Sequence, residues 1–250
     1  MTQTDRSKGA RNRSGASQDQ ATVTGTSAVA ALDADRSFAS VALGALIGLS
    51  LAVAGFVLAV SATGLAGPTT SFWYLSRSAG LVAYLLLWGS VVWGLLLSSK
   101  IGQGRLRTPV LLDAHQFLSN VAIGFAAFHG LVLMGDRYLS FPLAAVLVPF
   151  AGSYKPALVA AGQIGLWLSL LLSLSFLVRR RMGQGLWRSF HYLSFVAFWA
   201  VVAHSVLIGS DSGVPVIAVM YLGTVGAVLF LTFYRIMTAR RLARAAVVAR

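Results

Sequence analysis

The chain contains no cysteine. That absence excludes disulfides, thiol catalysis, iron–sulfur clusters and thiolate ligation of iron. Charge is scarce: 11% of the 250 residues are charged, against about a quarter in a soluble domain. Acidic residues are scarcest, seven against twenty Lys and Arg, for a formal net charge of +13. In a soluble protein that excess would point to nucleic acid. Here the basic residues sit between and beyond long apolar blocks, so membrane topology accounts for them without a nucleic-acid partner. The apolar/polar alternation of barrel strands is absent. So is a Rossmann glycine fingerprint following a strand.

What is present is apolar: 57% of the residues are hydrophobic. Blocks of about 20 such residues match a bilayer core roughly 30 Å thick. Six spans are predicted, at 38–61, 72–97, 111–133, 157–178, 190–208 and 214–238. Lipid leaves backbone polar groups no partner outside a helix or a closed barrel. The predicted fold is therefore an all-α bundle of six transmembrane helices. Residues 1–37, rich in Ser, Thr, Gly and Gln, form a predicted disordered tail. A secretory signal would carry its short apolar run near the start, so the first span is expected to remain uncleaved. Residues 239–250 form a short basic tail.

With six spans, both termini and the second-to-third and fourth-to-fifth loops share one side. That side holds Arg6, Lys8, Arg11, Arg13 and Arg36 in the tail, and Lys100, Arg105 and Arg107 in one loop. Arg179, Arg180, Arg181 and Arg188 occupy the other loop, and Arg235, Arg240, Arg241, Arg244 and Arg250 the last segment. Only Arg77, Arg137 and Lys155 fall elsewhere. The positive-inside rule makes the rich side cytoplasmic, in a multi-pass protein of the cell's inner (plasma) membrane. The apolar segment 137–156 is too short to span and is broken by Pro142 and Pro149. It is expected on the outer face, as a membrane-hugging connector or as a lid over a redox site.

All four histidines fall in spans: His115 and His129 in the third, His191 and His204 in the fifth. Ionisable residues in membrane helices are expensive and mark functional sites. His115 and His129 are fourteen residues apart, about four turns and roughly 21 Å along one face. His191 and His204 are thirteen apart, roughly 20 Å of rise. Both helices run in the same direction, so His115 matches His191 in depth and His129 matches His204. Each pair offers two axial imidazoles to one haem iron, an arrangement suited to electron transfer rather than oxygen binding. Thirteen residues is not a whole number of turns, and an ideal helix turns His204 well away from the face of His191. The pairing therefore requires a bend, a π-bulge or unequal approach angles. The competing use of these residues is structural, as hydrogen bonds between helices. Metal transport is disfavoured because no carboxylate lies at ligand spacing, Asp113 being the nearest.

The patterns His-x13-His and His-x12-His, with SRSAGLVAYLLL at 76–87 and LWRSFHYLSF at 186–195, resemble the ferric reductase transmembrane domain. That superfamily includes ferric-chelate reductases, the membrane part of NADPH oxidases and the haem subunit of the bacterial periplasmic methionine sulfoxide reductase. The resemblance covers about 72–210. It implies two b-type haems and electron flow from a cytoplasmic flavin to an extracytoplasmic acceptor. It carries His115, His129, His191 and His204 over as axial ligands. Ferric reductases and NADPH oxidases continue into an FAD- and NADPH-binding module that has no counterpart in this sequence. The expected function is thus that of an oxidoreductase's membrane haem subunit, with a separate flavoprotein reductase, a bound flavin or a quinol as donor. A quinol-linked dihaem cytochrome b and a haem-free transporter or scaffold are the alternatives.

Arg77 has two readings: a salt bridge to a propionate of the outer haem, or snorkelling to headgroups. Arg179, Arg180, Arg181 and Arg188 satisfy the positive-inside rule, and the same four suit an inner propionate, a flavin phosphate or a docking flavoprotein. Trp73, Trp167, Trp187 and Trp199 read as interfacial or packing residues rather than relays.

Overall fold

The computed structural model describes residues 70–99, 108–136 and 141–248, all within one compact unit, Leu46–Arg250. The predicted tail 1–37, the first span 38–61 and the loop cations Lys100, Arg105, Arg107 and Arg137 lie outside the described residues. All regular structure among the described residues is helical: α1 (Thr70–Ser98), α2 (Thr108–Val132, continued by a 3-10 turn Leu133–Gly135), α3 (Leu143–Leu147), α4 (Pro156–Met182), α5 (Gln184–His191), α6 (Leu193–Ile208) and α7 (Pro215–Val248). Among the described residues, five stretches are long and apolar enough to cross a membrane: Phe72–Ser98, Leu111–Gly135, Pro156–Met182, Gln184–Ile208 and Pro215–Arg241. The chain is a multi-pass membrane protein.

The helix boundaries follow local chemistry. Pro156 and Pro215 open α4 and α7, where proline's fixed φ suits a first turn and its missing N–H costs nothing. Gly183 separates α4 from α5 at φ 80°, a left-handed position that penalises any Cβ. Its N–H donates to Arg179 O at 3.1 Å. The last helix runs beyond the predicted 214–238, to Val248. The extension ARRLARAAVV is rich in Ala, Leu and Arg, strong helix formers, so the basic tail continues the helix.

The fifth span departs furthest from expectation. It is two helices that meet at Tyr192, and α5 begins six residues before the predicted start at 190. Tyr192 itself keeps right-handed dihedrals, φ −64° and ψ −18°. The hydrogen bonds around it shorten to i→i−3: Tyr192 N–H to Ser189 O at 3.2 Å and Phe195 N–H to Tyr192 O at 3.1 Å. The helix is thus interrupted one residue after His191, between the two histidines.

The helices pack as two antiparallel hairpins, α1 with α2 and α4 with α5–α6. Between α4 and α6 the backbones come close. A Cβ at Gly165 would lie 2.5 Å from Val201 Cγ2 and 3.3 Å from Ala197 O, as expected where small residues let membrane helices approach. α7 lies against α1. The Tyr84 hydroxyl and Thr224 Oγ1 are 2.6 Å apart, and Trp88 Nε1 donates to Thr224 O at 3.0 Å. Leu95, Phe198 and Val228 form a buried cluster from α1, α6 and α7. The opposite face of α7, with Val216, Val219, Leu222, Phe230 and Phe233, is exposed, as suits a surface solvated by lipid tails.

The segment between the second and third described spans carries α3. Two donors from α4, one turn apart, hold it. Gln163 Nε2 donates to Ala145 O at 2.7 Å and Val146 O at 2.9 Å, and Trp167 Nε1 donates to Leu147 O at 2.8 Å. Three successive carbonyls at the end of a five-residue helix are satisfied this way, which answers the orphan acceptors of a helix terminus.

Candidate functional site

His115 and His129 lie on α2, His191 closes α5 and His204 lies on α6. The structure brings them together in two pairs. The ring centroids of His115 and His191 are 6.2 Å apart with planes at 76°. Those of His129 and His204 are 6.1 Å apart at 78°. Each pair therefore joins one hairpin to the other.

Three of the rings are anchored through Nδ1 to a backbone carbonyl. His115 Nδ1 is 3.1 Å from Ser90 O, His129 Nδ1 is 2.8 Å from Ser76 O and His204 Nδ1 is 2.8 Å from Leu158 O. A carbonyl only accepts, so Nδ1 carries the proton and Nε2 keeps its lone pair. Such a bond fixes the tautomer and orientation of a metal-ligating histidine. Serines also grip the backbone beside two of these rings. Ser76 Oγ donates to His129 O at 3.0 Å. Ser90 Oγ is 2.6 Å from Ser119 Oγ, and Ser119 donates to His115 O at 2.8 Å.

The same three rings sit in glycine notches. A Cβ on Gly80 would lie 2.8 Å from His129 Nδ1, one on Gly94 3.2 Å from His115 Cε1, and one on Gly162 2.7 Å from His204 Nδ1. Helix α1 thus carries Ser-x3-Gly twice, at 76/80 and 90/94, displaced by the same fourteen residues that separate His115 from His129. His191 is held differently. Trp187, one turn earlier, stacks on it at 5.1 Å and 21°, and its Nδ1 is buried with no hydrogen-bond partner.

The ring separations bear on what these pairs can do. Two imidazoles bound end-on to one metal at about 2.0 Å, with about 1.1 Å from nitrogen to ring centre, would place their centres about 6.2 Å apart. A direct N–H···N bond of about 2.9 Å would place them about 5.1 Å apart. The observed spacing equals the first and exceeds the second, and it also falls in the range of an edge-to-face ring contact. Among the described residues no group of three or more His, Asp or Glu could hold a metal ion. Each pair could supply at most two imidazoles to a bound metal.

A cavity of about 430 Å³ adjoins the His129–His204 pair. Its walls include Gly80, Ala126, Gly162 and Ser205, and the Arg77–Asp211 ion pair also lines it. Arg77 Nε donates to Asp211 Oδ2 at 2.9 Å, and Nη2 meets Oδ1 of the same carboxylate. The partner of Arg77 in this structure is therefore a protein carboxylate from the turn between α6 and α7, which the sequence reading did not name. Its signal was available: all seven acidic residues are Asp, and Asp211 follows the fifth span at the depth where Arg77 enters the second. The glycine notches and the Ser76 and Ser90 anchors were also missed, although their fourteen-residue repeat was there to be read.

At the His115–His191 end the surroundings are basic. Arg179 lies over the Phe176 ring at 3.7 Å and Arg235 over Tyr192 at 5.9 Å. In comparisons with protein-family models, curated proteins and solved structures, nothing matched this chain.

Proposed function

We propose that the chain is a transmembrane electron carrier that holds two b-type haems, one between His115 and His191 and one between His129 and His204. The observation that carries this reading is the centroid spacing of 6.2 and 6.1 Å in both pairs, combined with Nδ1 anchors that leave Nε2 free on three of the four rings. The resemblance to the ferric reductase transmembrane domain supports the same assignment. Haem iron, when bound with two imidazoles, supplies a one-electron couple without an open coordination position.

The protein's part is to hold and to insulate. Ser76, Ser90 and Leu158 carbonyls fix three imidazoles, and Gly80, Gly94 and Gly162 make room for them. The apolar helices exclude water around both pairs. The basic end, with Arg179, Arg180, Arg181, Arg188 and Arg235, is the cytoplasmic side by the positive-inside rule and suits an acidic flavoprotein or a flavin phosphate as donor; a quinol is the other class. Electrons then leave at the end that carries Arg77 and Asp211, toward an extracytoplasmic acceptor.

The test is spectroscopic. Detergent-purified protein should show a reduced-minus-oxidised b-type spectrum at about two haems per chain. His115→Ala and His191→Ala should abolish one spectral component, and His129→Ala and His204→Ala the other. Colourless protein sinks the reading, and crossed losses sink the pairing.

A further inference from the structure

Three imidazoles are anchored by a carbonyl, and the fourth is not. His191 Nδ1 is buried with no acceptor, and its ring lies against the Trp187 indole at 5.1 Å and 21°. Trp187 is itself fixed. Its Nε1 donates to Ser175 Oγ at 3.2 Å, and Ser175 is 6% exposed and donates to Leu172 O at 2.7 Å. Phe176 meets the indole edge-on at 6.5 Å. The support of His191 therefore runs Leu172–Ser175–Trp187–His191, from α4 to α5, where the other rings use one backbone bond.

The difference is chemical as well as mechanical. An N–H···O=C bond raises the basicity of a ligating imidazole. A stacked indole orients the ring and offers Nδ1 no acceptor. Hydrogen bonding to the ligand is one of the levers by which a protein sets a haem potential. We propose that Trp187 is the positioning residue for His191, replacing the carbonyl anchor by stacking and thereby tuning the redox potential of the His115/His191 haem separately from its neighbour. The inference rests on the two-haem reading above.

The experiment compares midpoint potentials and low-spin EPR signals of the two haems in wild type, Trp187→Ala and Trp187→Phe. The component that His115→Ala abolishes identifies the haem concerned. In W187A that component should shift to lower potential, because water then reaches Nδ1 as an acceptor, and its EPR signal should broaden or move. The component lost in His129→Ala should stay where it is. Trp187→Phe keeps an aromatic face but loses the bond to Ser175, and should move the same component by less than W187A does. Unchanged potentials in W187A, or equal shifts of both haems, would overturn the proposal. If W187A does not accumulate, Ser175→Ala frees the indole N–H and should move the same single component; no movement there overturns the proposal equally. A wild-type protein without haem is a different result: it removes the two-haem reading, and this inference with it.

Discussion

A methyl group added at Gly80 or Gly162 would place its carbon 2.8 or 2.7 Å from Nδ1 of a ring that is already tied to a carbonyl. The ring has little freedom to yield, and overpacking of this kind costs about 1–3 kcal/mol. Gly80→Ala and Gly162→Ala should each weaken the His129/His204 component of the haem spectrum and lower thermal stability. Gly94→Ala, at 3.2 Å from His115, should act more mildly and on the other component. Gly89→Ala, Gly223→Ala and Gly226→Ala meet nothing within 4 Å. They should leave both components intact and add up to about 1 kcal/mol through helix propensity. Absorbance and melting curves of the six variants read the contrast; uniform behaviour would mean that the notches hold nothing in place. The four histidines were legible in the sequence because an imidazole in lipid is expensive. The glycines were not, because 25 of them are spread along the chain and close packing of membrane helices alone explains most.

At the scale of elements, the fifth span shows how far a spacing can be read. Thirteen residues between His191 and His204 announced a distortion, because rotation in an ideal helix is fixed at about 100° per residue. Its position did not follow, since any residue between the two would serve. The structure interrupts the helix at Tyr192, where i→i−3 bonds replace the regular ladder. The connector carrying α3 was legible as too short to span. Its clamp was not, because Gln163 and Trp167 are remote in sequence from the carbonyls they hold. Removing the clamp exposes its worth: Gln163→Leu leaves Ala145 O and Val146 O without their side-chain donor, at about 1–3 kcal/mol. Amide exchange across Leu143–Leu147 should accelerate in that variant, while exchange in the centre of α1 stays slow. Unchanged protection of α3 would show that packing, rather than Gln163, secures the connector.

For the whole molecule, the sidedness of charge is the property to measure, and the lack of native cysteine makes it convenient. Ser153→Cys and Gln184→Cys each introduce the sole thiol, at exposed positions. With the basic side cytoplasmic, a membrane-impermeant maleimide should label the residue-153 thiol in intact cells and the residue-184 thiol only after permeabilisation. The reverse pattern would invert the direction proposed for electron flow. The all-helical, multi-pass character was plain from composition, since long apolar blocks admit few alternatives. The pairing of the histidines by depth was read from the sequence; the approach of ring to ring needed coordinates, because depth can be counted along a helix whereas neighbours around its axis cannot.

Every histidine that has a backbone anchor finds it within its own hairpin: Ser76 and Ser90 serve α2, and Leu158 serves α6. Each hairpin can therefore enter the bilayer as an independent piece with its imidazoles already set, in keeping with a two-stage course of insertion followed by association. On the two-haem proposal, a cofactor held by each pair would tie together two hairpins that already pack on each other. If that proposal holds, cells short of haem should accumulate a chain whose hairpins part more readily, with quality-control proteases finding their first purchase along that seam.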